Sequence, residues 1–275
     1  MRQVLKYPGS KNRLASWICK YMPSHSVYVE PYMGSLAVLF NKPRCHIETV
    51  NDLNGDVVNY FMVIRDHAEE LRKLIESTPY ARDEYEKAYE DTEDPIEKAR
   101  RYCVRCWQGF GCSNRYKNGW KSGQQTRSPN PAKAWFELPD IMNIAHERLQ
   151  GVQIENLPAL EILNRYDTQD VFIYLDPPYL RSTRKGYLYA NEMTDSDHFL
   201  LLETITQHPG RILISGYDND LYAFYLSGER WRKVQKQTQA EQGLKRTETL
   251  WMNYELPNGG KMENGKGSTD RKMAE

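Results

Sequence analysis

The stretch Val171-Phe-Ile-Tyr-Leu175 is a run of apolar and aromatic residues that stops abruptly on Asp176-Pro177-Pro178-Tyr179. Such a run, closed by two prolines, reads as a buried strand with a stiff turn behind it. Asp176 then stands at the strand's carboxyl end, the edge of an open α/β sheet where ligands bind. The prolines fix φ and carry no N–H, so the turn is rigid and its carbonyls stay free to accept hydrogen bonds. A rigid loop with an acceptor and an aromatic ring suits a flat ring bearing an amino group. A plain strand-to-loop turn with a solvated Asp fits the same residues.

The chain around this run alternates strands and helices. Residues 26–32 read as a strand and turn, 35–42 as a short helix, and 45–52 as a second strand. Residues 54–66 read as a helix N-capped by Asn54, with Val57, Val58, Phe61, Met62 and Ile64 on its apolar side. This βαβα order predicts a parallel sheet. Residues 66–149 break the pattern: helices are expected near 94–110 and 130–150, the latter broken at Pro139 and ended by Gly151, with a polar, aromatic loop between them. From Val152 the α/β pattern returns, with strands expected in VQIENL, VFIYLD, RILISGY and ETLWMNY. The expected organisation is an α/β core of residues 1–65 and 150–256, a helical insertion over 66–149, and a disordered Gly-rich tail over 257–275.

At 275 residues, 40% hydrophobic and 27% charged, the chain is long and apolar enough to pack a core. No apolar run approaches about 18 residues, so no membrane span is expected, and Met1–Arg13 lacks an apolar signal core. A cytoplasmic protein follows. The cysteines are odd in number and scattered, against a disulfide framework. Cys103 and Cys106 lack the further ligands a zinc site needs, so they read as structural and no metal is expected. Net charge is zero, but no Asp or Glu occurs from Lys98 to Phe136, a span with nine Lys and Arg residues. A local basic block can bind phosphates in a neutral molecule; a solvated helix face is the alternative.

Glu30-Pro31-Tyr-Met-Gly34 follows the first strand, and Gly34 permits a tight turn and close ligand approach, with free N–H groups expected from the helix behind it. Asp52 ends the second strand 18 residues later, near the spacing at which an acid accepts ribose hydroxyls in nucleotide-binding folds. Asp52 reads equally as a cap for the next helix.

The ordered segments KYPGSK, VYVEPYMGSLAVLF, NDLNGDVVNYF, NPAKAW, VQIENLPALEIL, YLDPPY, YANEMTDSDH, ILISGYDNDLY and KRTETLWMNY span roughly residues 5–254. In this set the chain resembles the Dam-type DNA adenine methylases (D12 class, alpha group). The resemblance implies a Rossmann-like S-adenosylmethionine-dependent methyltransferase sheet carrying an inserted helical target-recognition domain. It implies Tyr7 and Lys11 at the methyl-donor site, Glu30, Pro31 and Gly34 beside the methionine moiety, Asp52 on the ribose and Asn156 near the cofactor's adenine. The family often has an acid where Pro158 stands here, which leaves the cofactor's exocyclic amine without an obvious partner.

On this reading Asp176 and the Pro177 carbonyl accept the two N6 hydrogens of adenine, Pro178 fixes the corner and Tyr179 stacks on the base. A base inside a duplex cannot reach such a pocket, so it must flip out. Recognition of double-stranded DNA, by a monomer or weak dimer, falls to the insertion, with Arg105, Asn114, Arg115, Tyr116, Lys117, Asn118, Trp120, Lys121 and Arg127 as candidates, and Gln124 and Gln125 beside them. The expected place of action is the bacterial nucleoid or a phage-infected cell. Rival readings are a cytosine N4 methyltransferase, which more often has Ser in place of Asp176, a protein glutamine methyltransferase, which usually has Asn there, and a DNA-binding protein of the same fold without turnover.

Overall fold

The computed structural model describes residues 1–111, 116–123, 129–184, 188–239 and 245–255, apart from the side chains of Gln239 and Lys245. In chain order the elements are α1 (Ala15–Cys19), β1 (Val27–Glu30), β2 (Ile47–Asn51), α2 (Gly55–Asp66), α3 (Ala68–Ser77), α4 (Arg82–Lys87), α5 (Pro95–Gln108), α6 (Pro131–Phe136) and α7 (Leu138–Leu149). They continue as β3 (Gln153–Glu155), α8 (Ala159–Arg165), β4 (Val171–Leu175), α9 (Asp195–Gln207), β5 (Arg211–Gly216), α10 (Asp220–Tyr225), β6 (Arg232–Gln239) and β7 (Lys245–Met252). The seven strands form one sheet in the order β3-β2-β1-β4-β5-β7-β6. The first five in that order run parallel, and β7 enters antiparallel to β5 and β6. This is the expected Rossmann-like α/β sheet. Its order reverses between β1 and β4, the switch point at which such sheets bind ligands.

β4 is buried along its whole length. Its alternate residues feed two cores, because successive side chains of a strand point to opposite faces. Val171, Ile173 and Leu175 pack with Val29, Ile212 and Ile214. Phe172 and Tyr174 pack with Tyr28, Leu213 and Leu250 on the other side. Each fully buried side chain of this size contributes about 1.5–3 kcal/mol relative to exposure, so β4 is held from both faces and delivers Asp176 to a fixed place.

Helix signals in the sequence translate directly into caps. The Asn54 side chain accepts from the Asp56 N–H at α2, and Asp94 accepts from the Ile96 N–H at α5. Thr194 and Asp197 form a reciprocal capping box at α9. The helix expected at residues 35–42 does not form. Leu36 has a positive φ of 55°, and only a short 3₁₀ turn, Leu39–Asn41, appears. Ser35 to Leu39 are buried in succession, so the segment has no polar face and is shaped by packing rather than helical periodicity. Met62 is 40% exposed and does not join the α2 core. The break between α6 and α7 falls at Glu137, and Pro139 sits in the first turn of α7, where a missing N–H costs nothing. β6 carries no strand signal of its own, because RKVQKQTQ has almost no apolar alternation; its pairing with β7 makes it a strand. Between β2 and β3 the described residues contain only helices and loops, as expected. The tail over 257–275 lies outside the described residues. Among those described, no helix is long and apolar enough to cross a membrane.

Candidate active site

Asp176 leaves β4 and meets Lys11, whose Nζ lies 2.7 Å from the Asp176 Oδ1. Ser215, on neighbouring β5, donates to the same oxygen at 2.9 Å. Lys11 is buried; it also donates to the Gly9 carbonyl at 2.9 Å, lies 3.9 Å from Glu248 Oε1, and sits 4.7 Å from the centre of the Tyr179 ring. Glu248, on β7, accepts a short hydrogen bond from the Tyr179 hydroxyl. One lysine thus stands between two carboxylates, and the second carboxylate aims the tyrosine. Burial disfavours the Lys11 charge, but Asp176 and Glu248 outweigh it, so the ammonium is held more firmly than in water. Burial pushes the Glu248 carboxyl up against the opposing pull of Lys11.

A cavity of about 250 Å³ opens on one side of this corner. Tyr7, Lys11, Glu30, Pro31, Gly34, Asp52, Asp176 and Pro178 all line it. Tyr179 and Pro177 do not. Asp176 and Lys11 therefore form the border between the cavity and the Tyr179 ring, which packs edge-on to Tyr217 at 4.7 Å. Asn156 also stands back from the cavity: its side chain donates to the Asp52 carbonyl at 2.7 Å, while Leu157 and Pro158 supply the wall. Pro158, found where an acid was expected, makes that wall apolar.

Two glycines allow the walls to close. Gly34 has φ +44°, and a Cβ there would lie 3.0 Å from the Tyr7 ring. Gly9 has φ +68°, and a Cβ there would lie 2.3 Å from the Tyr189 hydroxyl. The Gly34 N–H is not free, since it donates to Asp52 Oδ2 at 2.9 Å, while Asn54 N–H donates to Asp52 Oδ1 at the same distance. Asp52 therefore fixes the glycine turn as well as facing the cavity, and Asn54 is the helix cap. Burial raises the Asp52 pKa to about 6 despite these donors. Burial also raises Glu30 to about 8, against a 2.7 Å hydrogen bond from the Tyr28 hydroxyl, so Glu30 is largely protonated at neutral pH.

Several residues here carry no sequence signal. Asn51 is buried and ties two walls together, donating to the Pro31 and Leu157 carbonyls and accepting from the Leu157 N–H at 2.8–2.9 Å. Arg184 donates to the Tyr179 carbonyl at 2.7 Å and pairs with Glu192, which accepts the Leu188 and Tyr189 N–H groups. That arrangement sets Tyr189 over Gly9. Ser215 and Glu248 come from strands remote in sequence; the ILISGY and TETLW strand patterns mark their positions but not their direction.

The cations of the helical stretch are placed differently from the sequence expectation. Arg105 lies 2.9 Å from Asp56 on α2 and donates to the Ala88 carbonyl at 3.0 Å. Arg100 pairs with Glu97 and Glu84, Arg101 with Glu97, Lys98 with Asp56, and Lys133 with Glu137. Lys117 pairs with Glu86 and lies over the Tyr89 ring. A window empty of acids in sequence is thus supplied with acids from its flanks and from α2. Trp120 is half-buried against Tyr80 and donates to Gln108, so it is part of the packing. Gly109 and Trp120 pair in an isolated antiparallel bridge, with Phe110 70% and Tyr116 56% exposed. The Asn118 carbonyl accepts from Tyr85, and the Lys121 N–H donates to Gln108. Asn114, Arg115, Gln124, Gln125 and Arg127 lie outside the described residues. Cys103 is buried beside the Tyr60 hydroxyl at 3.5 Å, a packing position. No group of His, Cys, Asp or Glu that suits a metal occurs among the described residues.

A switch-point cavity bounded by a glycine turn, a strand-end acid and a rigid Asp-Pro-Pro-Tyr corner defines an enzyme of the α/β methyltransferase class. Residues 7–240 match the family described as D12 class N6 adenine-specific DNA methyltransferase, and the chain belongs to that family. It is 23% identical over 265 residues to the type II methyltransferase M.MjaIII of Methanocaldococcus jannaschii, covering 85% of this chain and 91% of that one. It is 26% identical over 235 residues to the retron Ec67 DNA adenine methylase of Escherichia coli, covering 80% and 79%. A third relative, type II methyltransferase M1.LlaDCHI of Lactococcus lactis subsp. cremoris, is 22% identical over 234 residues, covering 74% and 78%. The chain is a DNA adenine methyltransferase.

Proposed function

We propose that the enzyme transfers a methyl group from S-adenosylmethionine to N6 of an adenine flipped out of a specific duplex sequence. The carrying observation is the position of Asp176, which borders the cavity on one side and the Tyr179 ring on the other. The residues present fit the donor. The cavity is of ligand size, its wall carries acidic groups suited to a cationic sulfonium, and Asp52 retains lone pairs for ribose hydroxyls beside its two backbone donors. Tyr7, Lys11, Glu30, Pro31, Gly34 and Asp52 would hold it, with Leu157 and Pro158 against its base and Asn156 steadying that wall through Asp52. When bound, the donor supplies an electrophilic methyl group.

The protein's own work is positioning. Asp176 and the Pro177 carbonyl accept the N6 hydrogens of adenine, drawing the amino group toward tetrahedral geometry and freeing its lone pair. Pro178 keeps the carboxylate and Tyr179 in fixed relation. Tyr179 stacks on the base, and such stacking contributes about 1–3 kcal/mol, comparable to the cost of unstacking. Lys11, 2.7 Å from the Asp176 Oδ1, keeps that carboxyl group correctly turned. Glu248 is a positioning residue: it orients Tyr179 through the phenol and completes the charge around Lys11.

We assign residues 1–65 and 150–256 to the catalytic unit and 66–149 to target recognition. In the latter, Tyr116, Lys117, Asn118 and Lys121 lie on the loop of residues 116–123, and Asn114, Arg115 and Arg127 are its neighbours in sequence. Arg105 and Trp120, engaged inside the fold, support that loop rather than touch DNA. We place its action in the cytoplasm, as a monomer or weak dimer on duplex DNA. Incubation with methyl-labelled donor and duplex DNA, followed by nucleoside analysis, tests the reading. Label in N6-methyladenine is expected; label in N4-methylcytosine or only in protein would overturn it.

A further inference from the structure

β7 pairs with β5 only as far as Thr249, opposite Gly216. β6 and β7 continue beyond that point as a ribbon of two strands through the pairs Lys236↔Glu248, Gln237↔Thr247, Thr238↔Arg246 and Gln239↔Lys245. Four such pairs extend about 14 Å past the carboxyl edge of the sheet, on the side where Asp176 and Tyr179 stand. Directly opposed residues of an antiparallel pair share a face, as do residues two apart on one strand. Lys236 and Arg246 therefore share the face of Glu248, the residue that aims Tyr179.

Charge on this ribbon is arranged unlike that on the helical stretch. At its base, Lys233 pairs with Asp218 at 2.5 Å and Arg232 with Glu255 at 2.9 Å. Further out, neither Lys236 nor Arg246 has a carboxylate within ion-pair distance among the described residues. Lys236 is exposed and lies over the Trp17 ring at 5.6 Å. Arg246 lies 5.1 Å over Tyr217, the ring packed against Tyr179, and donates to the Thr183 carbonyl behind the Asp-Pro-Pro-Tyr turn at 3.1 Å. The one acid of the two strands, Glu248, is turned inward and buried. Gln235 and Gln237 bond across to Thr249 and Thr247, leaving the ribbon polar on its other face.

We infer that the β6–β7 ribbon is a second DNA contact, in which Lys236 and Arg246 hold phosphates of the strand that carries the target adenine. It rests on the reading of the enzyme as acting on duplex DNA. A polar ribbon whose outer cations have no acidic partner among the described residues, beside the mouth of a base pocket, is complementary to the backbone on either side of an extruded nucleotide. Binding there holds the strand next to Tyr179 while the helical stretch lies on the duplex, so extrusion is supported from the catalytic side.

The test is the affinity for a 25-base-pair duplex, measured by fluorescence anisotropy over a salt series. It compares wild type with Lys236→Gln, Arg246→Gln, the double variant and Lys236→Arg, with donor binding followed calorimetrically in each. The double variant is expected to bind DNA about tenfold more weakly near 0.1 M salt, and its log–log salt slope to fall by about 1–2, as loss of one or two phosphate contacts requires. Donor affinity should stay within about twofold, and Lys236→Arg should keep the wild-type slope. Lys236 is exposed, so Lys236→Gln reports even if Arg246→Gln disturbs the turn at Thr183. Unchanged affinity and slope in Lys236→Gln and the double variant, with wild type still methylating the duplex, would overturn the ribbon contact alone. A wild type that neither binds nor methylates duplex DNA would overturn both.

Discussion

The Asp176 corner and the helical stretch between β2 and β3 both gather charge, and they use it in opposite ways. In the corner, Lys11, Asp176 and Glu248 are drawn from three remote segments, largely withdrawn from water, and each restrains the others. In the helices, arginines and lysines pair with acids one turn away or on a neighbouring helix, and the lysine pairs such as Lys98–Asp56 and Lys133–Glu137 lie much more in solvent than the arginine pairs on Glu97. Low-dielectric coupling makes the corner sensitive to any single change, whereas solvent screening makes the exposed lysine pairs of the helices individually dispensable. Charge density along a sequence does not distinguish these cases; burial does.

The sharpest way to break the contrast is Asp176→Ala. Methyl transfer should fall roughly 10³-fold or more while duplex binding stays measurable, since an acceptor and its positioning are both lost. Near-normal turnover would remove Asp176 from the chemistry. Glu248→Gln should come next, lowering kcat roughly 10–100-fold through misplacement of Tyr179 and Lys11. Its mark is a change in kcat with donor affinity little altered; a loss confined to folding stability would make Glu248 a packing residue.

Asp52 gives a pH-dependent test. Its pKa is raised to about 6, so the carboxylate is ionised above that value and protonated below it. Donor affinity should therefore increase as pH rises through about 6, and Asp52→Asn should abolish that dependence while weakening binding roughly 10–100-fold at pH 7.5. For folding the sign is reversed. A raised acid pKa means that the native state holds the extra proton, so the Asp52 contribution to stability falls between the ordinary carboxylate range and about 6. Glu30 continues that decline to about 8, and Glu30→Gln should flatten the upper part of a stability-versus-pH curve measured by urea unfolding.

In the helices the effects should be smaller and of another kind. Arg105→Gln should lower unfolding stability by about 1–2 kcal/mol, since it leaves Asp56 and the Ala88 carbonyl short of a donor, with the salt slope of DNA binding unchanged. A slope reduced by about 1 would show that Arg105 leaves Asp56 for phosphate. Lys117→Gln should alter stability by no more than about 0.5 kcal/mol and DNA affinity only a few-fold, because contact with DNA requires release of Glu86.

The sequence was legible wherever local rules act. Asn54, Asp94 and Thr194 announce their helices because a cap needs only its own next few residues. The abrupt end of β4 at Asp176 follows from two prolines that cannot continue a strand. At Leu39–Asn41 the same local rules point to a helix where a 3₁₀ turn forms, since a short apolar run has no periodicity to separate the two.

What the chain's order of residues settled by itself is the α/β alternation, the strand-free stretch and the chemical corner, all written in patterns shorter than one element. Only tertiary structure decided that Asp52 pins Gly34, that Glu248 reaches Tyr179, and that the basic helices are neutralised from within. Those pairings join residues from 18 to 69 positions apart in the corner and its wall, and no local propensity encodes which face of a distant strand will meet them.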